Sequence, residues 1–272
     1  MNQTVSKHKQ LPLRMMIGRL IVVLLAAIVL LPVVYMVVHA FAVEKNGGFL
    51  PARFGFSAFY EVFLRRPDYL VKFWNSLLLS VVIVAGQVTV SCLAGYGFAR
   101  FQFPFKEVIY FAVIVMMLMP YQVTLVSNFF VVKALHLDNT YWAIFLPGIF
   151  SPFGVFLMRQ GFDSMPSELR EAAMLEGCKE LRILMKIALP VCRGQLTALV
   201  LLCFVDSWNM VEQPLVFIKE TFRYPISVFL AQMDENRMDI LCTCGILVTL
   251  PTLLLFLFCE EDLTEGMAKW KG

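Results

Sequence analysis

The chain has 272 residues, of which 59% are hydrophobic and 16% charged, with a mean hydropathy of +0.74 and a formal net charge of +3. Soluble domains carry about a quarter charged residues. This composition therefore excludes an ordinary soluble protein and points to one embedded in a membrane, and no nucleic-acid partner is expected.

Five intervals contain no Asp, Glu, Lys or Arg: 20–43, 73–99, 108–132, 139–158 and 240–259. Each reaches the roughly 20 residues that a spanning helix needs. A sixth candidate, 191–213, is apolar but interrupted by Arg193, Asp206 and Glu212. Backbone polar groups in hydrocarbon need internal partners, which only helices and closed barrels supply. Barrel strands alternate in and out, whereas LIVVLLAAIVLLPVVYMVV (20–38) does not. The expectation is an all-α membrane protein with six transmembrane helices.

The first span follows Lys7, Lys9, Arg14 and Arg19, and Ala40-Phe41-Ala42 resembles a cleavage site. Its apolar run exceeds the ~7–15 residues of a signal core, so it reads as a span. The segment 43–72 is rich in aromatic and basic residues, which anchor at an outer interface. The second span is dotted with Asn75, Ser80, Gln87, Thr89 and Ser91, read as glue between helices. A short turn, 99–107, holds Pro104 between Arg100 and Lys106. In the third span Tyr121, Gln122, Thr124 and Asn128 follow Pro120, a patch that suits either packing or a polar path. The fourth carries Pro147, Gly148, Pro152 and Gly154, too many breakers for a straight helix. Such breaks belong inside protein or beside a watery cavity, and both readings stay open.

In the fifth span Asp206 and Glu212 are six residues apart, so they do not share a helix face. With Ser207, Trp208, Asn209 and Gln213 they either line a polar path or, for Glu212 and Gln213, sit in outer water. Trp208 taken alone reads as an interfacial aromatic. The sixth span ends at Cys259, and Glu260-Glu261-Asp262 opens a tail. Lys and Arg counted with the N-terminus inside give 14 inside and 9 outside, which favours an N-in, C-in topology. None of the seven cysteines falls in an outer loop, so no disulfide framework is indicated. Cys242 and Cys244 read as small buried residues, and no metal site is expected.

Catalytic constellations are missing. His8, His39 and His136 are dispersed, and there is no HExxH, no GxSxG and no GxxxxGK[ST] phosphate loop. The chain does not read as an enzyme. If it does energised work, a partner chain supplies the energy, and no cofactor is bound here.

The segment 160–190 is the exception to the apolar pattern. Pro166-Ser167 signals a helix start, and SELREAAMLE uses strong helix formers. Leu169, Ala172, Ala173 and Glu176 share a face. A glycine within a helix costs about 1 kcal/mol, so Gly177 reads as a cap or sharp turn. CKELRILMKIALP then returns to the membrane. This helix either docks into a groove of a partner or rests on lipid.

Residues 171–190 fit E-A-A, three residues, Gly, nine residues, Ile, one residue, Leu-Pro. The pattern resembles the EAA loop of inner-membrane permeases of ATP-binding-cassette importers. Further stretches are similar to the carbohydrate branch, the smaller partner of the maltose-type permease pair. They are Asn75-Ser76-Leu77, LAGYGFARFQFP (93–104), MPYQV (119–123), 141–173, Ser207-Trp208-Asn209 and the ending LTEGMAKWKG (263–272).

The resemblance implies a type I importer permease fold in the bacterial cytoplasmic membrane. Residues 1–70 form a tail, first helix and outer loop, 71–262 the permease core, and 263–272 a cytoplasmic tail. It implies a heterodimer with a homologous permease chain, two cytoplasmic ATPase subunits that hydrolyse ATP, and an extracytoplasmic solute-binding protein facing 214–237. Leu169, Glu171, Ala172, Ala173 and Gly177 would form the coupling helix. Tyr121, Gln122, Asn128, Asp206, Asn209 and Glu212 are candidates for the translocation path.

Three features depart from the family pattern. Met174-Leu175-Glu176-Gly177-Cys178 stands where a basic residue and Ile-Asp-Gly-Ala are usual. Asp206 stands where a small residue is usual, and Glu260-Glu261-Asp262 replaces a more basic, aromatic stretch. The expected solute is a sugar or related polyol. The alternatives are another solute, such as a phosphodiester or peptide, and a membrane-embedded enzyme or scaffold.

Overall fold

The computed structural model describes residues 13–43, 51, 53–66, 68–233 and 237–269. Among these residues the structure is helical, with one antiparallel bridge between Ala42 and Phe54. The chain divides into two compact units, Met1–Arg65 with Asp234–Ile246, and Arg66–Met233 with Leu247–Gly272.

In the first unit α1 (Leu13–Ala40) is a continuous helix through Pro32. Every residue from 15 to 34 is exposed. A helix that is apolar all round belongs in lipid or against other protein. Beyond it, Phe41 meets Phe59 at 5.0 Å and Phe56 at 5.5 Å. The short α2 (Ser57–Tyr60) widens into a π turn over Glu61–Arg65. Arg237 bonds Glu61 at 2.8 Å, and Thr243 donates to the Ala40 carbonyl at 3.3 Å. Cys242 and Cys244 are buried here.

The second unit is organised around α3 (Asp68–Arg100), which packs on α6 (Trp142–Ile149), α7 (Pro152–Asp163), α11 (Arg193–Trp208) and α13 (Ile226–Ala231). Ser76, Ser80, Gln87 and Ser91 are its buried polar residues, and they let neighbouring helices come close. Gly154 of α7 lies so near Ser91 that a Cβ there would collide with the hydroxyl. Gly95 leaves similar clearance for Met158, 2.9 Å from where its Cβ would stand.

Two expected spans are not straight. The third breaks into α4 (Lys106–Leu118) and α5 (Tyr121–Ala134), which meet at 108°. Pro120 is the cause: it donates no N–H and drives the residue before it out of helical geometry. Met119 is accordingly extended, with φ −72° and ψ 130°. Beyond the fourth span lies α8 (Ser167–Leu175). The fifth span is preceded by α9 (Glu180–Ile183), a π turn at Leu184–Ala188 and α10 (Leu189–Val191), and α11 leaves this run at 84°. It also stops at Trp208, short of the expected 213, so Glu212 belongs to a separate helix, α12 (Glu212–Phe217).

The sixth differs in the other direction. α14 (Met238–Lys269) runs on past Cys259, through the acidic triplet. Asp262 pairs with Arg193 at 3.6 Å and accepts from the Thr197 hydroxyl at 3.3 Å, which ties this extension to the start of α11. Among the described residues four helical stretches can cross a membrane by length and composition, or up to six if each bent pair is one span.

Trp208 is not interfacial. It is fully buried, stacks on Phe204 at 5.4 Å and donates Nε1 to the Val248 carbonyl at 2.9 Å. Pro251 leaves the neighbouring Leu247 carbonyl without its helical donor, so the indole meets α14 where its ladder is weakest.

Candidate functional site

Two regions of the second unit carry the sequence-predicted residues. One is α8 and its supports. The other is a cavity among the broken helices.

α8 begins after Pro166, whose φ of −54° and ψ of 134° set the chain to enter a helix. Glu171, Ala172, Glu176 and Gly177 are exposed, and Leu169 and Leu175 present bare apolar surface, Leu175 at 90%. Ala173 is different. It is buried within its own chain, so it seats the helix and is not available on the outward face with Leu169 and Ala172. Gly177 closes the helix at φ +80°. Its N–H donates to the Met174 carbonyl and that of Cys178 to Ala173, both at 3.0 Å. These are the two bonds of a Schellman cap. A Cβ at 177 would meet nothing within 4 Å, so the requirement for glycine is backbone conformation alone.

The supports come from the far end of α3. Tyr96 donates to Glu180 at 2.7 Å, and Glu180 also pairs with Arg170 of α8. The hydrogen bond to Glu180 holds the Arg170 guanidinium above its ordinary pKa. Arg100 donates to the carbonyls of Phe162 and Met165 at 2.6 Å each, satisfying the end of α7 just before α8 starts. Arg159 of α7 lies 3.5 Å above the Tyr110 ring and pairs with Asp163 at 3.3 Å. Sequence reasoning took Arg100 and Arg170 as topology charges and overlooked Tyr96 and Glu180. A signal was present: Tyr96 and Arg100 are four apart, hence on one helix face.

The cavity has a volume of about 740 Å³. Its walls are the places where helices stop. Met116, Met117 and Met119 end α4, and Tyr121, Thr124 and Asn128 begin α5. Pro147, Gly148, Phe150, Ser151, Pro152 and Phe153 form the break between α6 and α7. Ile83 and Gln87 of α3, Cys203, Asp206 and Ser207 of α11, Met210 and Gln213 complete the lining. Irregular backbone at membrane depth belongs inside protein or beside a watery space, and the α6–α7 break lines this cavity. Cys203 donates to Gln87 at 2.6 Å, and Ser207 donates to the Cys203 carbonyl at 2.7 Å.

Of the six path candidates, Tyr121, Asn128 and Asp206 line this cavity, and Gln122, Asn209 and Glu212 do not. Gln122 and Glu212 are exposed and face each other at 3.5 Å. Asn209 is turned back on its own helix, donating to the Val205 carbonyl at 2.9 Å. Gln87, expected as glue between helices, also lines the cavity, as do Ser151 and the methionines, which their sequence positions did not single out.

At the opposite end of α3, Asn75 donates to the Phe222 carbonyl at 2.8 Å, and Ser76 accepts from the Ile226 amide at 2.8 Å. Asn139, at φ +58°, receives the Lys219 amide at 3.0 Å and donates to Glu220 at 3.2 Å. Of the segment expected to be a loop, 214–237, residues 214–233 hold part of α12, a short 3-10 turn and α13, with Ile226 and Val228 buried.

Residues 87–260 match the family described as binding-protein-dependent transport system inner membrane component. The chain is 30% identical over 222 residues to the arabinooligosaccharides transport system permease protein AraQ of Halalkalibacterium halodurans, covering 80% of each. It is 32% identical over 219 residues to the lactose transport system permease protein LacG of Rhizobium radiobacter, covering 79% of this chain and 80% of that one. In fold it is similar to a chain of a bacterial transporter involved in the import of the acidic polysaccharide alginate. The TM-score is 0.82 at 18% identity, over 96% of this chain and 99% of that one.

Proposed function

Because the chain belongs to the family of binding-protein-dependent transport system inner membrane components, we propose that it works as follows as the permease subunit of a carbohydrate importer. It pairs with a second, homologous permease, and the two enclose the path. Two ATPase subunits dock on the permease pair from the cytoplasm, one of them on the outward face of α8. Both chain ends lie on that cytoplasmic side, and residues 71–262 act as the permease core. A solute-binding protein delivers a sugar or polyol to the opposite side, where 214–237 receives it.

The observation that carries this reading is the construction around α3. The same helix supports α8 through Tyr96 and Arg100 and walls the cavity through Gln87. A push on α8 therefore has a hydrogen-bonded route to the cavity wall. Leu169, Glu171, Ala172 and Leu175 supply the contact, Gly177 ends the docking helix, and Ala173 seats it. A helix with a small, partly apolar outward face suits a groove in a partner.

The test is ATP-driven uptake by the assembled transporter in proteoliposomes. Glu171→Lys and Gly177→Val leave the chain folded and inserted, and uptake falls to background. Normal uptake in both variants removes α8 as the coupling element. The relatives are named for arabinooligosaccharides and lactose and the similar structure for an acidic polysaccharide, so both neutral and anionic saccharides are within reach of this architecture.

A further inference from the structure

This inference rests on the reading of the cavity as part of the solute's path, and concerns which solutes that path accepts. Among the described residues Asp206 is the only charged one lining the cavity, and no Lys, Arg or His is in that lining. The carboxylate sits two residues before the end of α11, and its residue is exposed. The remaining polar groups are neutral: the amides of Gln87, Asn128 and Gln213, and the hydroxyls of Tyr121, Thr124, Ser151 and Ser207. The apolar part is soft and broad, made by methionines and by Phe150 and Phe153.

Each component has a chemical counterpart. Amides and hydroxyls exchange donor and acceptor hydrogen bonds with sugar hydroxyls. Aromatic and thioether surfaces pack against the C–H faces of pyranose rings, and methionines adapt to irregular shapes. A uronate or phosphate would find no cation here to replace its lost hydration, and desolvating an unpaired anion is costly. It would also face Asp206, and like charges brought together at an interface work against binding. We propose that Asp206 is a specificity-determining residue that closes this part of the path to anionic saccharides and leaves it open to neutral and amino-bearing ones.

The experiment uses the assembled importer, with its permease partner and ATPase chains, in nanodiscs without binding protein, so that selection by that protein is absent. Dissociation constants are measured for three pentasaccharides: neutral maltopentaose, a galacturonate pentamer and a glucosamine pentamer. The wild-type complex is expected to bind the galacturonate pentamer at least about tenfold more weakly than the neutral one, the scale of one unfavourable charge contact. Asp206→Asn narrows that ratio, Asp206→Glu keeps it, and Glu212→Gln, a carboxylate change outside the cavity, does not move it. If Asp206→Asn fails to assemble, Asp206→Glu and the wild-type ratio still decide. Galacturonate binding as tight as the neutral sugar, or a ratio unchanged in Asp206→Asn, overturns the charge filter and leaves the importer reading intact. Binding of none of the three at millimolar concentration overturns the cavity as the solute's path, and the filter with it.

Discussion

The α8 end and the cavity are built on opposite plans. Around α8 the backbone ends are closed: Gly177 caps one end, Arg100 satisfies the carbonyls before the other, and Arg170, Glu180 and Tyr96 interlock. Around the cavity, helices stop and their polar residues turn into open space. One region is made to keep its shape under load, and the other to offer groups to something that passes. The difference locates function in a way neither motif nor cavity does alone, because both are attached to α3.

The comparison can be broken at its scaffold first. Gly154→Val drives a branched side chain into Ser91, and overpacking of this kind costs about 3 kcal/mol. The expected result is loss of assembled protein in a detergent-stability assay, with Gly154→Ala milder. Next, Arg100→Ala strips two charge-assisted hydrogen bonds from the end of α7, with an expected cost of about 2–3 kcal/mol. Uptake should fall strongly while saccharide binding in the cavity persists. Equal loss of both would mean that the two regions are not separable.

Smaller again is Tyr96→Phe, which removes one hydrogen bond worth about 1 kcal/mol. It should loosen the fit of α8, seen as weaker recovery of ATPase subunits on size exclusion, and leave assembly of the two permeases alone. The smallest effect is expected from Gln122→Ala, which lies outside the cavity. Saccharide affinity should stay within about twofold, the usual reach of a surface change, and a larger shift would extend the path outward along α5.

The α8 region was readable from sequence because its information is local. Glu171-Ala172-Ala173, Gly177 and Leu189-Pro190 lie within one stretch, and a cap demanding positive φ announces itself as glycine. What spacing did not disclose is that Ala173 turns inward and that Glu180 and Tyr96 brace the helix across 84 residues. The cavity is non-local throughout. Its lining comes from α3, α4, α5, the α6–α7 break and α11, so no interval of the sequence resembles a site. Asp206, Tyr121 and Asn128 were visible as polar residues among apolar ones, which is also how Gln122, Asn209 and Glu212 looked. Only where each helix ends separates the two groups. Pro120 offered a stronger signal than was drawn from it, since the residue before proline resists helix, and Trp208 was misjudged because burial of an indole depends on a distant carbonyl.

The amide of Ile226 donates to the Ser76 hydroxyl, 150 residues away, and is buried. Buried hydrogen-bonded amides exchange with solvent only when their surroundings open. This single N–H is therefore a natural clock for the Ser76 end of α3. If the assembled transporter breathes there during turnover, Ile226 exchanges faster with ATP present than without it; if the motion is confined to the end that holds α8, its rate does not change.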